Sequence, residues 1–238
     1  MTALAAPRAA SPADVVALQY SNRNRMIGVP LYILGAVVLL TVAISITILR
    51  AGGDLDGADF NASVLYSVLG YTVAIGVQNV ASSFPFALAL GSTRRTFVLG
   101  NLLTSAVQAV LVAVAAVVLL GLETVTGGWF IGARALSSVL LGDGDPVLLG
   151  GVMLLAILTA LAAGGAFGSA YVRFGARGPL VLSLGLAVVV VLLLLLLVPQ
   201  AAAVAAAARP WWLAVGGAVV IGASTVGQYL FLRRASVR

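Results

Sequence analysis

Three sets of uncharged polar residues stand out in a chain that is otherwise nearly all apolar. Gln78 and Asn79 are followed closely by Ser82 and Ser83, and Tyr71, Gln78 and Ser82 share one helical face by their spacings of seven and four. Asn101, Thr104, Ser105 and Gln108 repeat at i, i+3, i+4 and i+7, and Ser224, Thr225 and Gln228 form a third set near the C-terminus. Amides and hydroxyls donate and accept hydrogen bonds, but they carry no charge and shuttle no proton near neutral pH. The three sets fall at a similar depth in their apolar segments, and two readings stay open. Gln78, Asn79, Ser82, Asn101, Ser105, Gln108 and Gln228 line a polar pathway open to one side of a membrane, or the same groups form hydrogen bonds between helices, worth about 0.6 kcal/mol each.

The missing residue types exclude more than the present ones suggest. There is no cysteine and no histidine, which removes disulfides, thiol catalysis and the usual soft metal ligands together. No acid or base falls inside any apolar segment as the sequence draws them. An ion-coupled carrier needs an ionisable group or a broken-helix ion site at mid-membrane, and a membrane hydrolase needs an acid, base, nucleophile or metal within hydrogen-bond reach. Neither a charged ring nor a filter-like sequence suggests a channel. The pattern G-x-x-x-x-G-K-[ST] is absent, so the chain has no phosphate loop of its own. The expectation is a non-enzyme without cofactor or metal.

These residues must be carried by membrane-spanning helices. Of 238 residues, 62% are hydrophobic and 8% charged, with a mean hydropathy of +1.16, far outside the composition of ordinary soluble domains. At about 20 apolar residues per crossing, six segments qualify: 26–49, 63–83, 97–121, 147–171, 179–198 and 211–232. The fold class expected is all-α, a six-helix polytopic membrane protein. All 13 cationic residues are arginines. Ten of them (Arg8, Arg23, Arg25, Arg94, Arg95, Arg173, Arg177, Arg233, Arg234 and Arg238) fall in alternate connections and both terminal segments, whereas Arg50, Arg134 and Arg209 fall on the other side. The positive-inside rule then places both termini in the cytoplasm. The acids agree, since Asp54, Asp56, Asp59, Glu123, Asp143 and Asp145 lie on the outer side. A net charge of +6 spread between apolar spans, without interleaved aromatics, does not describe a nucleic-acid partner. Residues 1–25 lack a signal-peptide stretch and the first span is too long for one, so it reads as retained.

Along the chain, residues 1–12 read as a mobile tail broken by Pro7 and Pro12. Residues 13–26 read as a short amphipathic helix at the membrane surface, burying Val15, Val16, Leu18 and Met26 and wetting Gln19, Asn22, Arg23, Asn24 and Arg25, or else as a plain positive flank of the first span. Thr41 and Ser45 are expected to bond back to their own helix. Residues 122–146 hold Trp129, Phe130, Leu136, Val139 and Leu140 in a stretch too short to cross, which fits an interfacial or re-entrant helix. The fifth span has no polar group from Leu186 to Val198 and is the most lipid-exposed candidate, while Gly164–Ala170 and Gly216–Gly222 are small enough for close helix approach. Between spans two and three, Phe84, Pro85, Phe86, Gly91, Ser92, Thr93, Arg94, Arg95 and Phe97 make an apolar elbow with a basic tip, suited to being gripped by another protein.

The segment Ser82–Leu103, "SSFPFALALGSTRRTFVLGNLL", and, less specifically, Gly168–Gly185, "GSAYVRFGARGPLVLSLG", resemble the permease subunits of bacterial type-2, exporter-like ATP-binding-cassette (ABC) transporters, particularly the six-span kind of actinobacteria. Hydropathy order, inside termini and segment lengths agree over essentially the whole chain. The resemblance implies a connecting helix over 13–26, a six-helix domain over 27–238, and a coupling element over 84–96 resting on an ATPase subunit. In that element Gly91 would let the chain turn, and Arg94 and Arg95 would meet acidic ATPase residues or only set topology. It also implies a second permease chain, two ATPase copies binding ATP and Mg²⁺, a bacterial cytoplasmic membrane, and export of a hydrophobic or amphipathic compound. The reading set beside it is a non-transport membrane anchor or regulatory subunit.

Overall fold

The computed structural model describes residues 10–55, 63–138, 141–200 and 210–235. Most of the N-terminal tail lies outside this set, as do Asp56, Asp59, Val139, Leu140, Arg209 and Arg238. Among the described residues every regular element is helical. They are α1 (Pro12–Gln19), α2 (Val29–Arg50, entered through a wide turn at Asn24–Gly28), α3 (Ser63–Ala89), α4 (Arg94–Val125), α5 (Pro146–Phe174), α6 (Arg177–Leu197) and α7 (Pro210–Leu232). Six helical stretches are long and apolar enough to cross a membrane: Asn24–Arg50, Ser63–Ala89, Arg94–Val125, Pro146–Phe174, Arg177–Gln200 and Trp211–Leu232. The fold is that of an all-α polytopic membrane protein.

The expected helix over 13–26 is shorter and begins earlier. Ser11 caps α1: its Oγ accepts from the Asp14 amide at 3.4 Å, and the Asp14 carboxylate accepts from the Ser11 amide at 2.6 Å. This reciprocal box satisfies two orphan donors of the first turn. Ser11 and Pro12 therefore belong to α1 and not to the tail. The helix ends at Gln19, and the expected pattern holds only in part: Val15 and Met26 are buried and Asn22, Arg23 and Asn24 exposed, but Gln19 is buried and Val16, Leu18 and Arg25 are half-buried.

The chain forms two compact units. The first comprises residues 1–21, 76–104 and 162–238. Its core joins Val15 of α1, Val80, Phe84 and Ala87 of α3, Phe97 and Val98 of α4, and Leu232 and Ala235 at the end of α7. Phe84 and Phe97 meet edge to face, 5.1 Å between centroids and 74° between planes, the geometry favoured by ring quadrupoles.

The second unit comprises residues 22–75 and 105–161. Leu34 and Val38 of α2, Val64 and Val68 of α3, Val112, Ala116 and Leu120 of α4 and Leu149, Met153 and Ile157 of α5 are buried. Tyr71 donates to the Arg25 carbonyl at 2.8 Å and Gln108 to the Met26 carbonyl at 2.6 Å, so two side chains satisfy backbone at the wide turn before α2. Thr41 and Ser45 donate to the carbonyls four residues back, each at 2.9 Å.

Two boundaries differ from expectation for physical reasons. Pro85 removes one amide donor without ending α3, with Phe84 and Ala87 around it buried. The turn between α3 and α4 is thus only Leu90–Thr93, and Phe84–Ala89 of the expected elbow continues α3 as its last turns. At the other end α4 runs on through Glu123 to Val125. Beyond it the described residues form no α-helix before Pro146. Gly127, Gly128, Trp129 and Phe130 all take positive φ, and a chain in that conformation cannot continue a right-handed helix.

Candidate functional site

Gly91, Ser92 and Thr93 build the α3–α4 turn by capping both helices. Gly91 takes φ +84°, the left-handed conformation that glycine reaches without strain. The Ser92 amide then donates to the Ala87 carbonyl at 2.9 Å and the Gly91 amide to the Leu88 carbonyl at 3.0 Å, the paired bonds that close a helix C-terminus. Thr93 caps α4, its Oγ1 accepting from the Thr96 amide at 3.1 Å. These three residues are committed to shaping the turn.

The two arginines after them do different things. Arg94 reaches the C-terminus of α7: Nη1 donates to the carbonyl of Leu232 at 2.9 Å and to that of Arg233, and Nη2 to that of Ala235 at 2.8 Å. The Leu232 carbonyl is at the negative end of the helix dipole, where the last carbonyls have no partner within the helix, and those of Arg233 and Ala235 lie just beyond it. Arg94 is therefore a cap joining α4 to α7, a role the sequence does not suggest. Arg95 is exposed. The expected elbow is divided likewise. Phe84 and Phe97 are sealed inside, whereas Phe86 and Leu90 are 65% and 63% exposed.

Of the seven residues read as a pathway lining, the structure gathers three. Asn101 Nδ2 donates to Gln228 Oε1 at 3.2 Å, joining α4 to α7. Gln19 of α1, expected to be wet, completes the set: its Nε2 donates to Asn101 Oδ1 at 3.0 Å and to the Asn79 carbonyl at 3.4 Å. Gln19, Asn79, Asn101 and Gln228 are all buried. Gly165 of α5 makes room for them, because a Cβ there would collide with Gln228 Nε2 and lie 3.4 Å from Asn101 Nδ2. Gln19 Oε1 is left without a partner among the described residues. Gln78 and Ser82 are exposed on another face of α3, Ser82 donating to its own helix at Gln78. Ser105 and Gln108 belong to the other unit, where Gln108 serves the turn before α2.

Glu123 is a second polar centre, which sequence reasoning placed in an outer loop. Only 1% exposed, it accepts five hydrogen bonds: from Trp129 Nε1 at 3.1 Å, the amides of Ala135 and Leu136 at 3.0 Å each, and the Ser137 amide and hydroxyl at 3.1 and 2.6 Å. The irregular segment after α4 is wrapped around this carboxylate, which supplies the acceptors that a helix would otherwise provide.

Among the described residues no three of His, Cys, Asp and Glu converge as a metal site would require. The amide network can exchange neutral hydrogen bonds with a polar group. The turn can present Phe86, Leu90 and Arg95 to a partner. Comparison of the chain with protein-family models, with curated proteins and with solved structures finds no match. The class these observations define is a six-span membrane protein whose first compact unit ties α1, α4 and α7 together by buried polar bonds.

Proposed function

We propose that the chain is the membrane-spanning permease subunit of an ATP-driven, exporter-like ABC transporter in a bacterial cytoplasmic membrane. It pairs with a second permease chain, and two copies of a separate ATPase subunit bind ATP and Mg²⁺ and dock at the α3–α4 turn. The cargo is a hydrophobic or amphipathic compound. One observation carries this reading. The turn and the helix ends beside it expose Phe86, Leu90 and Arg95 while being braced from behind by the Phe84–Phe97 contact, the Arg94 cap on α7 and Val15 of α1. A chain without a phosphate loop needs such a stiff handle if another subunit is to move it, since force applied to the tip passes directly into two spans.

The anchor or regulatory subunit is the second reading, and the amide network favours it. Gln19, Asn101 and Gln228 bond to one another and are buried, which suits a fixed scaffold better than a polar lining.

The test separates the exposed tip from its braces. Tagged chain is drawn from native membranes in mild detergent, with and without Leu90→Ser/Arg95→Glu, leaving Arg94 untouched, and the eluate is assayed for ATPase activity. Co-purifying activity that the double variant loses at equal membrane insertion supports the permease reading. No activity with either chain supports the anchor.

A further inference from the structure

α6 barely touches the rest of its unit. Gly178 is its one buried residue, packed so tightly under α5 that a Cβ there would collide with the Ala170 carbonyl. Above this foot the helix leaves a pocket of about 660 Å³, bounded by Ala170 and Phe174 of α5, Val181, Leu182 and Leu186 of α6, and Phe231 of α7. That volume lies within the roughly 300–1,000 Å³ of small-molecule sites.

The pocket's one charged lining residue is Arg177. Two of its walls, Phe174 and Phe231, meet edge to face at 5.8 Å, and Arg173 stacks over them at 4.6 and 5.9 Å from their centroids. Asp14 is the only acid among the described residues of this unit, and it is held in the Ser11 box. Arg173 and Arg177 thus form a cationic rim beside the Gly178 foot, at one end of the apolar cavity, and the described residues of this unit hold no acid besides Asp14.

We propose that this pocket binds an anionic phospholipid, with an acyl chain among Val181, Leu182, Leu186 and Phe231 and the phosphate at Arg177 and Arg173. Charge selects this occupant. A second copy of the chain meeting this face about a twofold axis would bring Arg173 and Arg177 of both copies to one level of the shared face, four like charges for which this unit's described residues offer no acid besides Asp14. A basic pocket between spans is matched by an acidic headgroup whose tails already lie at the right depth. The assignment is independent of the transport reading, since it concerns which lipid the chain retains and not what it moves.

The full chain is reconstituted in bilayers of phosphatidylcholine containing phosphatidylglycerol with a photoreactive group on its acyl chain, and cross-links are mapped by peptide. Labelling is expected on Phe174–Leu186 and on the peptide with Phe231, several-fold above that from phosphatidylcholine with the same labelled tail. Each arginine accounts for about a fivefold preference, so the exposed-site variant Arg177→Gln should lose about fivefold of the phosphatidylglycerol labelling without affecting folding. Gly185→Trp, where an added Cβ meets nothing within 4 Å, should fill the pocket and displace both lipids. Equal labelling by the two lipids, or labelling unchanged by Arg177→Gln, overturns the proposal and leaves an ordinary lipid annulus. Cross-links between two chains through α6 in place of lipid overturn it in favour of a dimer contact.

Discussion

The Arg94 guanidinium donates to the Leu232 carbonyl at 2.9 Å, binding the first turn of α4 to the last turn of α7 across 138 residues of chain. A cation at a helix C-terminus contributes up to about 2 kcal/mol where the site is partly buried. Arg94→Ala should accordingly lower stability by about 1–2 kcal/mol, read as a fall in apparent Tm in detergent. Arg94→Lys keeps the charge but lacks the fork that spans several carbonyls, so it should recover only part of the loss. Arg95→Ala, at an exposed position, should change stability by less than about 0.5 kcal/mol. Equal effects of the two alanine substitutions would show that Arg94 is not a cap.

Glu123 poses a sharper test because its donors cannot find other partners. Glu123→Ala strands three backbone amides and an indole N–H in a buried site, which should cost about 3 kcal/mol or more. Glu123→Gln keeps the shape but turns an NH₂ group toward amides that need an acceptor, and should be nearly as damaging. Hydrogen exchange at Ala135, Leu136 and Ser137 should accelerate in both variants. Asp145, which accepts from the Val147 amide at 2.7 Å at the exposed start of α5, supplies the comparison: Asp145→Ala should cost about 1 kcal/mol and leave exchange at 135–137 unchanged.

Hydropathy alone located the six spans, because a run of apolar residues long enough to cross leaves little choice of structure. Gly91 marked the turn for the same kind of local reason. The misreadings share a different cause. Polarity alone assigns Gln19 to water, although it lies four residues after Val15 and so shares the buried face of α1. Apolarity alone ends the third span at 121 and leaves Glu123 in a loop, whereas α4 is 32 residues long and includes it. Its donors come from up to fourteen residues later in an irregular segment, and no periodicity announces such a partnership. Arg94 likewise has partners that only the tertiary fold supplies.

Tyr20, at the end of α1 and outside the spans, gives a pH signature. Burial pushes its phenol up to about 12 from an ordinary value of 10.0. Between those values the unfolded chain has lost the proton that the folded chain keeps, so stability must fall as pH rises through this window and is fully present below it. Thermal unfolding followed from pH 9 to about 12 should show a decline that is shallower in Tyr20→Phe. Parallel curves for the two proteins would place the alkaline sensitivity elsewhere.

The amide network predicts a specific failure of additivity. Gly165→Ala places a methyl group against Gln228 Nε2, and Gln228 is 1% exposed and already bonded to Asn101. Relieving the clash means breaking that bond or moving α5, and overpacking of this kind costs about 1–3 kcal/mol. In a Gln228→Ala background the obstacle is gone, so Gly165→Ala should become nearly neutral there. The Asn101→Ala/Gln228→Ala cycle should give a coupling of about 0.6 kcal/mol, with about 1.7 as the ceiling for hydrogen bonds between membrane helices. Gln19→Ala should weaken that coupling, because it removes the third member that holds Asn101 in place. A network that merely coincides in space would instead give three independent losses, and α1 would then be held by Val15 and its apolar neighbours alone.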